Sequence, residues 1–366
     1  MKKISIVHFH QIEAYPPVLN LIHCLEKQQK QLDVSLLTMD GILEKDIYKL
    51  KILRFGNSSR KKINLWLNYF RFNAGVFLYL CIKRPEIVLY YETISSFPVF
   101  LYKRLFNKSV KVYIHYHEYV SKEEYKNGSK LIKYFHALEK GLIKNAQWVS
   151  QTNDVRLKKF LYDLNIEKSN KFHTLPNYPS KKWVNFSKEN SVHEHIKIVF
   201  VGYSANSNSS YVTELIEWLK TVGLKIQFDL YCIKKEDSVD ISNATVKNLD
   251  VNYCDPVPYK DLGALLSGYD IGVILYRAVT DNYIFNAPNK LFEYLACGLD
   301  VWYPKEMQGI HAYDSEDTPK VKRLDYGRLE NYSFNELFSK DRERRFIEDY
   351  HAETVYEKLI QNILEN

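Results

Sequence analysis

Residues 287–298 read Ala287-Pro288-Asn289-Lys290-Leu291-Phe292-Glu293-Tyr294-Leu295-Ala296-Cys297-Gly298, a short helix with both ends written into it. Pro288 suits the first turn, where its missing N–H costs nothing, and Gly298 suits the terminating position, which favours a left-handed backbone. Leu291, Phe292 and Leu295 supply a packing face, while Lys290 and Glu293, three apart, share another face near the N-terminus. A cation and a carboxylate at a helix N-terminus can serve diphosphate oxygens and ribose hydroxyls. The blander reading is an exposed surface ion pair, whose loss leaves the fold intact. Apolar runs of strand length flank the helix at 270–275 and 300–303, which is the strand–helix–strand unit of a parallel sheet.

The unit repeats in both directions. Upstream in the same half come strand 196–201, helix 210–221, strand 225–232, strand 249–253 and helix 259–266. An earlier series has strands at 3–9, 33–38, 86–91, 111–117 and 147–151, with helical stretches at about 17–30, 63–82, 95–106, 130–144 and 153–163. Between the two series lie Leu175-Pro176-Asn177-Tyr178-Pro179 and the polar tract 181–194, a linker. The pattern predicts an α/β protein with two doubly wound domains, 1–180 and 190–344. A last helix at about 345–366 is expected to return and pack on the first domain.

Composition agrees. The chain has 366 residues, 46% of them hydrophobic and 26% charged, enough for two cores and far from the disordered or collagenous classes. Its five cysteines lie far apart with no C-x-x-C pair, so neither a disulfide framework nor a structural zinc site is expected. Lys2-Lys3 precede an apolar run too short for a secretory signal, and the longest apolar stretch, 63–82, is broken by Asn64, Asn68, Arg71 and Asn73. A cytoplasmic protein without a membrane span is therefore expected. Charge is split: residues 1–180 carry +14 and residues 181–366 carry −7. The basic half suits phosphate-rich surfaces, either nucleic acid or anionic lipid, or it simply keeps the protein soluble.

In open α/β sheets ligands bind beyond the carboxyl ends of the strands. That rule selects His8, His10 and Glu13, then Glu92, His117 and Glu118, then Thr152 and Asn153 in the first half. His and Glu at several strand ends suit a sugar site that binds hydroxyls or moves protons. His8 with His10, and His115 with His117, share strand faces, but no further ligand stands in motif spacing, so no metal site is expected. In the second half Gly202-Tyr203-Ser204 opens a loop before a helix, a place where free N–H groups can hold a phosphate.

The run Pro288–Gly298, preceded by Tyr269-Asp270-Ile271-Gly272-Val273-Ile274-Leu275-Tyr276, resembles the donor-binding region of GT-B glycosyltransferases close to family 4. His115-Tyr116-His117-Glu118, Gln151-Thr152-Asn153 with Arg156, and Leu175-Pro176-Asn177 fit the same pattern in order, so the resemblance covers nearly the whole chain. It implies two Rossmann-like domains facing each other across a cleft, and transfer of a sugar from a UDP- or GDP-linked donor held by the second domain to an acceptor held by the first. Glu293 would bind ribose and Lys290, with Asn289 at the helix start, the diphosphate. Gly202, Tyr203 and Ser204 would flank the phosphates, Arg277 would add charge, and 255–258 would line the base. His117 and Glu118 would be catalytic, with His10, Glu13 and Glu92 on the acceptor side.

This chain departs from the pattern where Phe285 replaces a second glutamate, where the usual Arg and Lys after the first donor-domain strand are absent, at Asp300, and in a first loop without glycines. Those differences leave the donor sugar and the stereochemical outcome open. No D-x-D triplet occurs, which fits metal-independent stabilisation of the leaving diphosphate and no cofactor beyond the nucleotide sugar itself. Arg60-Lys61-Lys62, Lys83-Arg84 and Lys103-Arg104 flank aromatic-rich stretches, a composition suited to peripheral contact with the inner face of an anionic membrane and a lipid-linked or glycan acceptor, as in surface polysaccharide assembly. The rivals are a nucleotide-sugar epimerase of the same fold, a non-catalytic glycosyltransferase-like partner, and a nucleic-acid-binding protein. The last is disfavoured because the 29 tyrosines are spread over both halves.

Overall fold

Ile87-Val88-Leu89-Tyr90-Tyr91 is buried at every position, with no alternation between an inner and an outer face. Only a strand covered on both sides reads this way, and it lies inside a parallel sheet. The computed structural model describes residues 1–39, 50–56, 62–183, 195–234, 239–241, 244–338 and 350–366. In it, β1 (Lys2–His8), β2 (Leu32–Thr38), β3 (Lys51–Arg54), β4 (Ile87–Tyr91), β5 (Lys111–Tyr116), β6 (Trp148–Gln151) and β7 (Phe172–Thr174) form one sheet in the order β3-β2-β1-β4-β5-β6-β7. All its pairings are parallel. Between the strands run α1 (Pro16–Glu26), α2 (Lys62–Lys83), α3 (Ser96–Leu101) extended by a π turn over Tyr102–Phe106, α4 (Lys122–Asn127), α5 (Lys130–Lys144) and α6 (Asp154–Leu164).

The second sheet has the order β10-β9-β8-β11-β12-β13. Its strands are β8 (Ile196–Gly202), β9 (Ile226–Cys232), β10 (Leu249–Cys254), β11 (Ile271–Val273), β12 (Asp300–Pro304) and β13 (Val321–Leu324), again paired in parallel. Its helices are α7 (Val212–Leu219), α8 (Tyr259–Leu266), α9 (Asp281–Ile284), α10 (Asn289–Ala296) and α11 (Phe334–Leu337), and the last helix of the chain is α12 (Ala352–Glu365).

The chain divides into two units, Met1–Pro176 with Ala352–Asn366, and Asn177–His351. Asn177 to Ser180, expected in the first domain, thus goes with the second unit, where Tyr178 and Tyr350 both pack against Phe292 of α10. Burial of Tyr356, Leu359, Ile360 and Ile363 in the first core fixes α12 there, and the Tyr356 hydroxyl donates to the Pro17 carbonyl at 2.8 Å. The helix expected from about 345 begins at 352; residues 345–349 of that reading lie outside the described residues, as do Arg60 and Lys61.

The strands missing from the sequence reading, β3, β7 and β13, stand at or beside sheet edges and are three or four residues long, too short for a clean apolar run. Helix α4 was equally missing because none of its residues is buried. Its signal was present all the same: Ser121 and Glu124 form a reciprocal capping box, the S-x-x-E signature of a helix start.

Candidate functional site

Strand order reverses between β1 and β4 in the first sheet and between β8 and β11 in the second. These are the positions where an α/β sheet opens a crevice at its carboxyl edge. Each switch point carries sequence-selected residues.

In the first unit the ends of β1, β4 and β5 bring His8, Tyr91, His115 and His117 into ring contact. His117 stacks on Tyr91 at 4.8 Å between centroids and on Tyr15 at 5.5 Å, with His115 at 4.8 Å and His8 at 5.9 Å from it. Burial keeps all three histidines neutral: His8 and His115 are lowered to about 3, and His117 lies well below its ordinary value. His8 Nδ1 contacts the His10 carbonyl and His115 Nδ1 the Ser150 hydroxyl, whereas neither ring nitrogen of His117 has a protein partner. A buried imidazole with both nitrogens unmatched is a binding group waiting for a ligand or water. Among the described residues no group of three His, Cys, Asp or Glu side chains converges as a metal ion would require.

The backbone at His117 is held from two sides. Glu92 Oε1 accepts from the His117 N–H at 2.6 Å and from the Glu118 N–H at 3.2 Å, while Arg156 Nη1 donates to the His117 carbonyl at 2.6 Å and to Thr152 Oγ1 at 2.9 Å. Withdrawal from water and the nearby Glu118 carboxylate push Glu92 up to about 8, and burial lowers Arg156 to about 10. Glu92 also has φ +62°, a conformation that costs a non-glycine residue about 1 kcal/mol or more and is found where geometry is functionally fixed. Asn153 caps α6 by accepting from the Arg156 N–H, which sets the start of the helix that carries Arg156.

The structure thus gathers His117, Glu118 and Glu92, but in different postures: His117 buried, Glu118 exposed, Glu92 turned toward the backbone. His10 is exposed beside this cluster, its ring stacked on Tyr15 at 5.8 Å. Glu13 is half engaged, its second oxygen, Oε2, being buried without a partner. Its carboxylate is paired with Arg54 of β3 at 2.5 Å, both side chains being nearly buried, so one of its oxygens is committed to the fold.

In the second unit α10 starts after the cap residue Pro288 and ends before Gly298, whose φ is +73°. Lys290 Nζ lies 2.5 Å from Glu293 Oε2. The pair is not an exposed surface pair: the Glu293 side chain is only 1% accessible, and its second oxygen, Oε1, is buried without a partner. Helical periodicity gave the face but not the cover; α10 packs in a core with Tyr276, Ala287 and Tyr303. Tyr294 locks the helix to the sheet, accepting from the Val201 N–H at 3.2 Å, and its ring fills the space beside Gly272, where a Cβ would lie 2.3 Å from it.

The remaining residues divide. Asn289 and Lys290 open α10, half-buried. Gly202 ends β8, but the room a Cβ would need is taken by the Phe200 ring, so the glycine serves packing rather than close approach of a ligand. Tyr203 is exposed and Ser204 half-buried in the loop that follows. Arg277 is not a free cation: its Nη2 pairs with Glu214 of α7, its Nε donates to the Ser207 carbonyl at 2.7 Å, and it lies over the Tyr211 ring. A residue the sequence reading passed over is Lys234. It lies two residues beyond the end of β9, its N–H donates to the Tyr203 carbonyl at 2.8 Å, and its ammonium lies over the Tyr203 ring. The strand-end rule applied to β9 would have found it. Phe285 is buried.

No family model matches the sequence, and no curated protein matches it by sequence. Solved structures do match. Anabaena HepE in complex with UDP-glucose is similar with a TM-score of 0.68 at 12% identity, covering 100% of both chains. A sucrose-phosphate synthase from Thermosynechococcus elongatus gives 0.67 at 14% identity, covering 100% of this chain and 99% of the other. The fold is GT-B. A UDP-GlcNAc 2-epimerase from Methanocaldococcus jannaschii shares it with a TM-score of 0.61 at 10% identity, covering 100% of both chains. At these identities the likeness is one of fold.

Proposed function

We propose that this GT-B chain is a glycosyltransferase close to family 4, the second unit holding a nucleoside-diphosphate sugar and the first an acceptor hydroxyl. The observation that carries the reading is Glu293: a carboxylate 1% accessible, with one oxygen on Lys290 and the other unmatched. Buried acceptor capacity of this kind fits a ligand that brings hydroxyl donors, as a ribose does. The neighbouring ammonium and the N-terminal N–H groups of α10 fit the diphosphate. The UDP-glucose bound by HepE and the UDP-sugar named for the epimerase support a UDP-linked donor.

Loss of a nucleoside diphosphate builds charge on the leaving oxygen, and Lys290 with the helix terminus offers preorganised stabilisation of that charge. In the first unit the neutral His117 binds a sugar hydroxyl through its free nitrogens, and the exposed Glu118 is the side chain suited to take a proton from an incoming acceptor. The acceptor is a glycan or a lipid-linked sugar. The epimerase reading is kept because that enzyme shares the fold. Isothermal titration with UDP and GDP, and product analysis of a UDP-sugar with and without acceptor, test both. Glu293→Gln keeps the shape and removes the charge; it is expected to weaken nucleotide binding about 10- to 100-fold, the value of one hydrogen bond to a charged group. Unchanged affinity would remove the donor assignment, and a 2-epimer formed without acceptor would replace transfer by epimerisation.

A further inference from the structure

Helix α5 carries an acid where its packing face calls for an apolar residue. Phe135, Leu142 and Ile143 are buried on that face, and Glu139, at helical spacing from each of them, is buried completely. An apolar side chain would fill this position with no desolvation cost, so a carboxyl kept here must have partners that offset its withdrawal from water. Oε1 of Glu139 accepts from the Tyr90 hydroxyl at 2.9 Å, and Oε2 accepts from the Thr93 hydroxyl at 2.7 Å. The Thr93 proton is thereby used, so Thr93 Oγ1 accepts in turn from the Tyr125 hydroxyl, 2.5 Å away. Tyr125, on α4, is stacked on His136 of α5 at 3.7 Å between centroids.

The two points at which Glu139 takes hold lie on either side of Glu92. Tyr90 belongs to β4, and Thr93 opens the helical turn Thr93–Ser95. α5 thus grips the chain just before and just after the side chain that accepts from the His117 and Glu118 N–H groups. Glu92 itself has φ +62°, a backbone state that persists only where its surroundings impose it. The far side of the turn has its own ties: Ser96 Oγ donates to the Thr93 carbonyl at 2.6 Å, and the Phe9 N–H donates to Ser95 Oγ at 3.0 Å. The side chain of Thr93, next to Glu92, is held by Glu139 and Tyr125.

We propose that Glu139 is a positioning residue: through Thr93 it fixes the turn at Glu92, and through Glu92 the backbone that presents His117 and Glu118. Its effect on turnover rests on the transferase reading above, whereas its effect on the backbone is measurable without any reaction.

Thr93→Val keeps the shape and removes the hydroxyl between Glu139 and Tyr125, and Thr93→Ser keeps the hydroxyl. In the valine variant, hydrogen exchange of the peptide spanning His117 and Glu118 is expected to quicken about tenfold. Turnover of a UDP-sugar is expected to fall by about the same factor, that of one hydrogen bond at the upper end of its range, with nucleotide affinity unchanged. Thr93→Ser is expected to restore both. Glu139→Leu, which fills the space without acceptor oxygens, is expected to match Thr93→Val; should it fail to fold, the two Thr93 variants decide. The sharpest arm is the Glu92→Ala background, where Thr93→Val is expected to lower turnover no further, because what it positions is already gone. Losses that multiply in that background would overturn the proposal. So would unchanged exchange at His117 and Glu118, or a fall in thermal stability with turnover unchanged. Exchange that quickens in a chain with no transfer activity would keep the positioning role and remove the transferase reading instead.

Discussion

The two switch points use opposite chemistry. The first unit surrounds His117 with buried aromatic and imidazole rings and keeps three histidines neutral; the side chains of Glu92 and Arg156 hold the backbone. The second places an ion pair, Lys290 with Glu293, at the end of a helix, with one carboxylate oxygen left over. A neutral ring cluster suits the orientation of hydroxyl groups, and a charged helix end suits a diphosphate and its ribose. The difference gives each unit a separate experimental signature: turnover for the first, nucleotide affinity for the second.

The largest separation is expected from Glu92→Ala. It removes two hydrogen bonds from the His117 and Glu118 N–H groups and releases the imidazole from its place. Turnover is expected to fall about 10- to 100-fold, since two such bonds contribute about 0.5–1.5 kcal/mol each. Affinity for the nucleotide should not move. Glu92→Gln retains an acceptor oxygen, so it is expected to recover most of the rate. A glutamine variant as slow as the alanine one would show that the carboxyl group itself takes part in the reaction, and equal losses in affinity and turnover would break the division between units.

Much of this arrangement is legible in the sequence because it depends on local signals. The all-buried runs of β1, β4 and β5 announce a covered parallel sheet, and Pro288 and Gly298 bound α10 to within a residue. The strand-end rule then places His117 and Glu118. What the sequence hides is long-range cover. Nothing in the spacing of Lys290 and Glu293 tells that the carboxylate is buried, that Arg54 of an edge strand claims Glu13, or that Glu214 claims Arg277. Those facts depend on which segments meet in space, and short edge strands such as β3 leave little periodicity by which to find them.

The ring cluster also fixes how the first unit responds to acid. His8 and His115 titrate near 3 in the folded chain and near 6.5 when unfolded, so below pH 6.5 the unfolded state takes up protons that the folded state refuses. Stability is lost at about 1.4 kcal/mol per pH unit for each such group as pH falls from 6.5 toward 3. Glu92, raised to about 8, and Glu139, raised to about 7, act the other way. What they contribute is fully present below about 4.5 and lost as pH rises through their folded values. With His10, His136 and His173 lowered in the same sense, the histidines outnumber the two carboxyls, so the first unit is expected to be most stable near pH 6.5, to weaken as pH falls and most steeply below 4.5, and to weaken again toward 8. Hydrogen exchange followed by peptide across this range should show the sheet of β1, β4 and β5 losing protection in acid before that of β8 and β11. Simultaneous loss would mean that the imidazoles do not set the acid limit.

The smallest effect is expected from a chelator, and the comparison of the two sites explains why. Diphosphate departure needs positive charge where the leaving oxygens gather. One route is a divalent cation held by acidic side chains; the other is fixed protein charge and helix N–H groups. The sequence carries no D-x-D triplet for the first route, and at the second switch point the carboxylate of Glu293 already has Lys290 as its counter-ion. Lys234, beside Tyr203 in the loop after β8, supplies a further ammonium on the same sheet edge. With the second route operating, excess EDTA should leave the initial rate of nucleoside diphosphate release unchanged, and Lys290→Ala should lower it by about tenfold or more, as loss of one charged contact to the departing group does. Lys234→Ala should lower it less, since that ammonium sits over a ring in an exposed loop. A rate abolished by EDTA and restored by Mg²⁺ or Mn²⁺ would transfer the charge-stabilising role from Lys290 to a metal ion, and would leave the Lys290–Glu293 pair as a support for ribose alone.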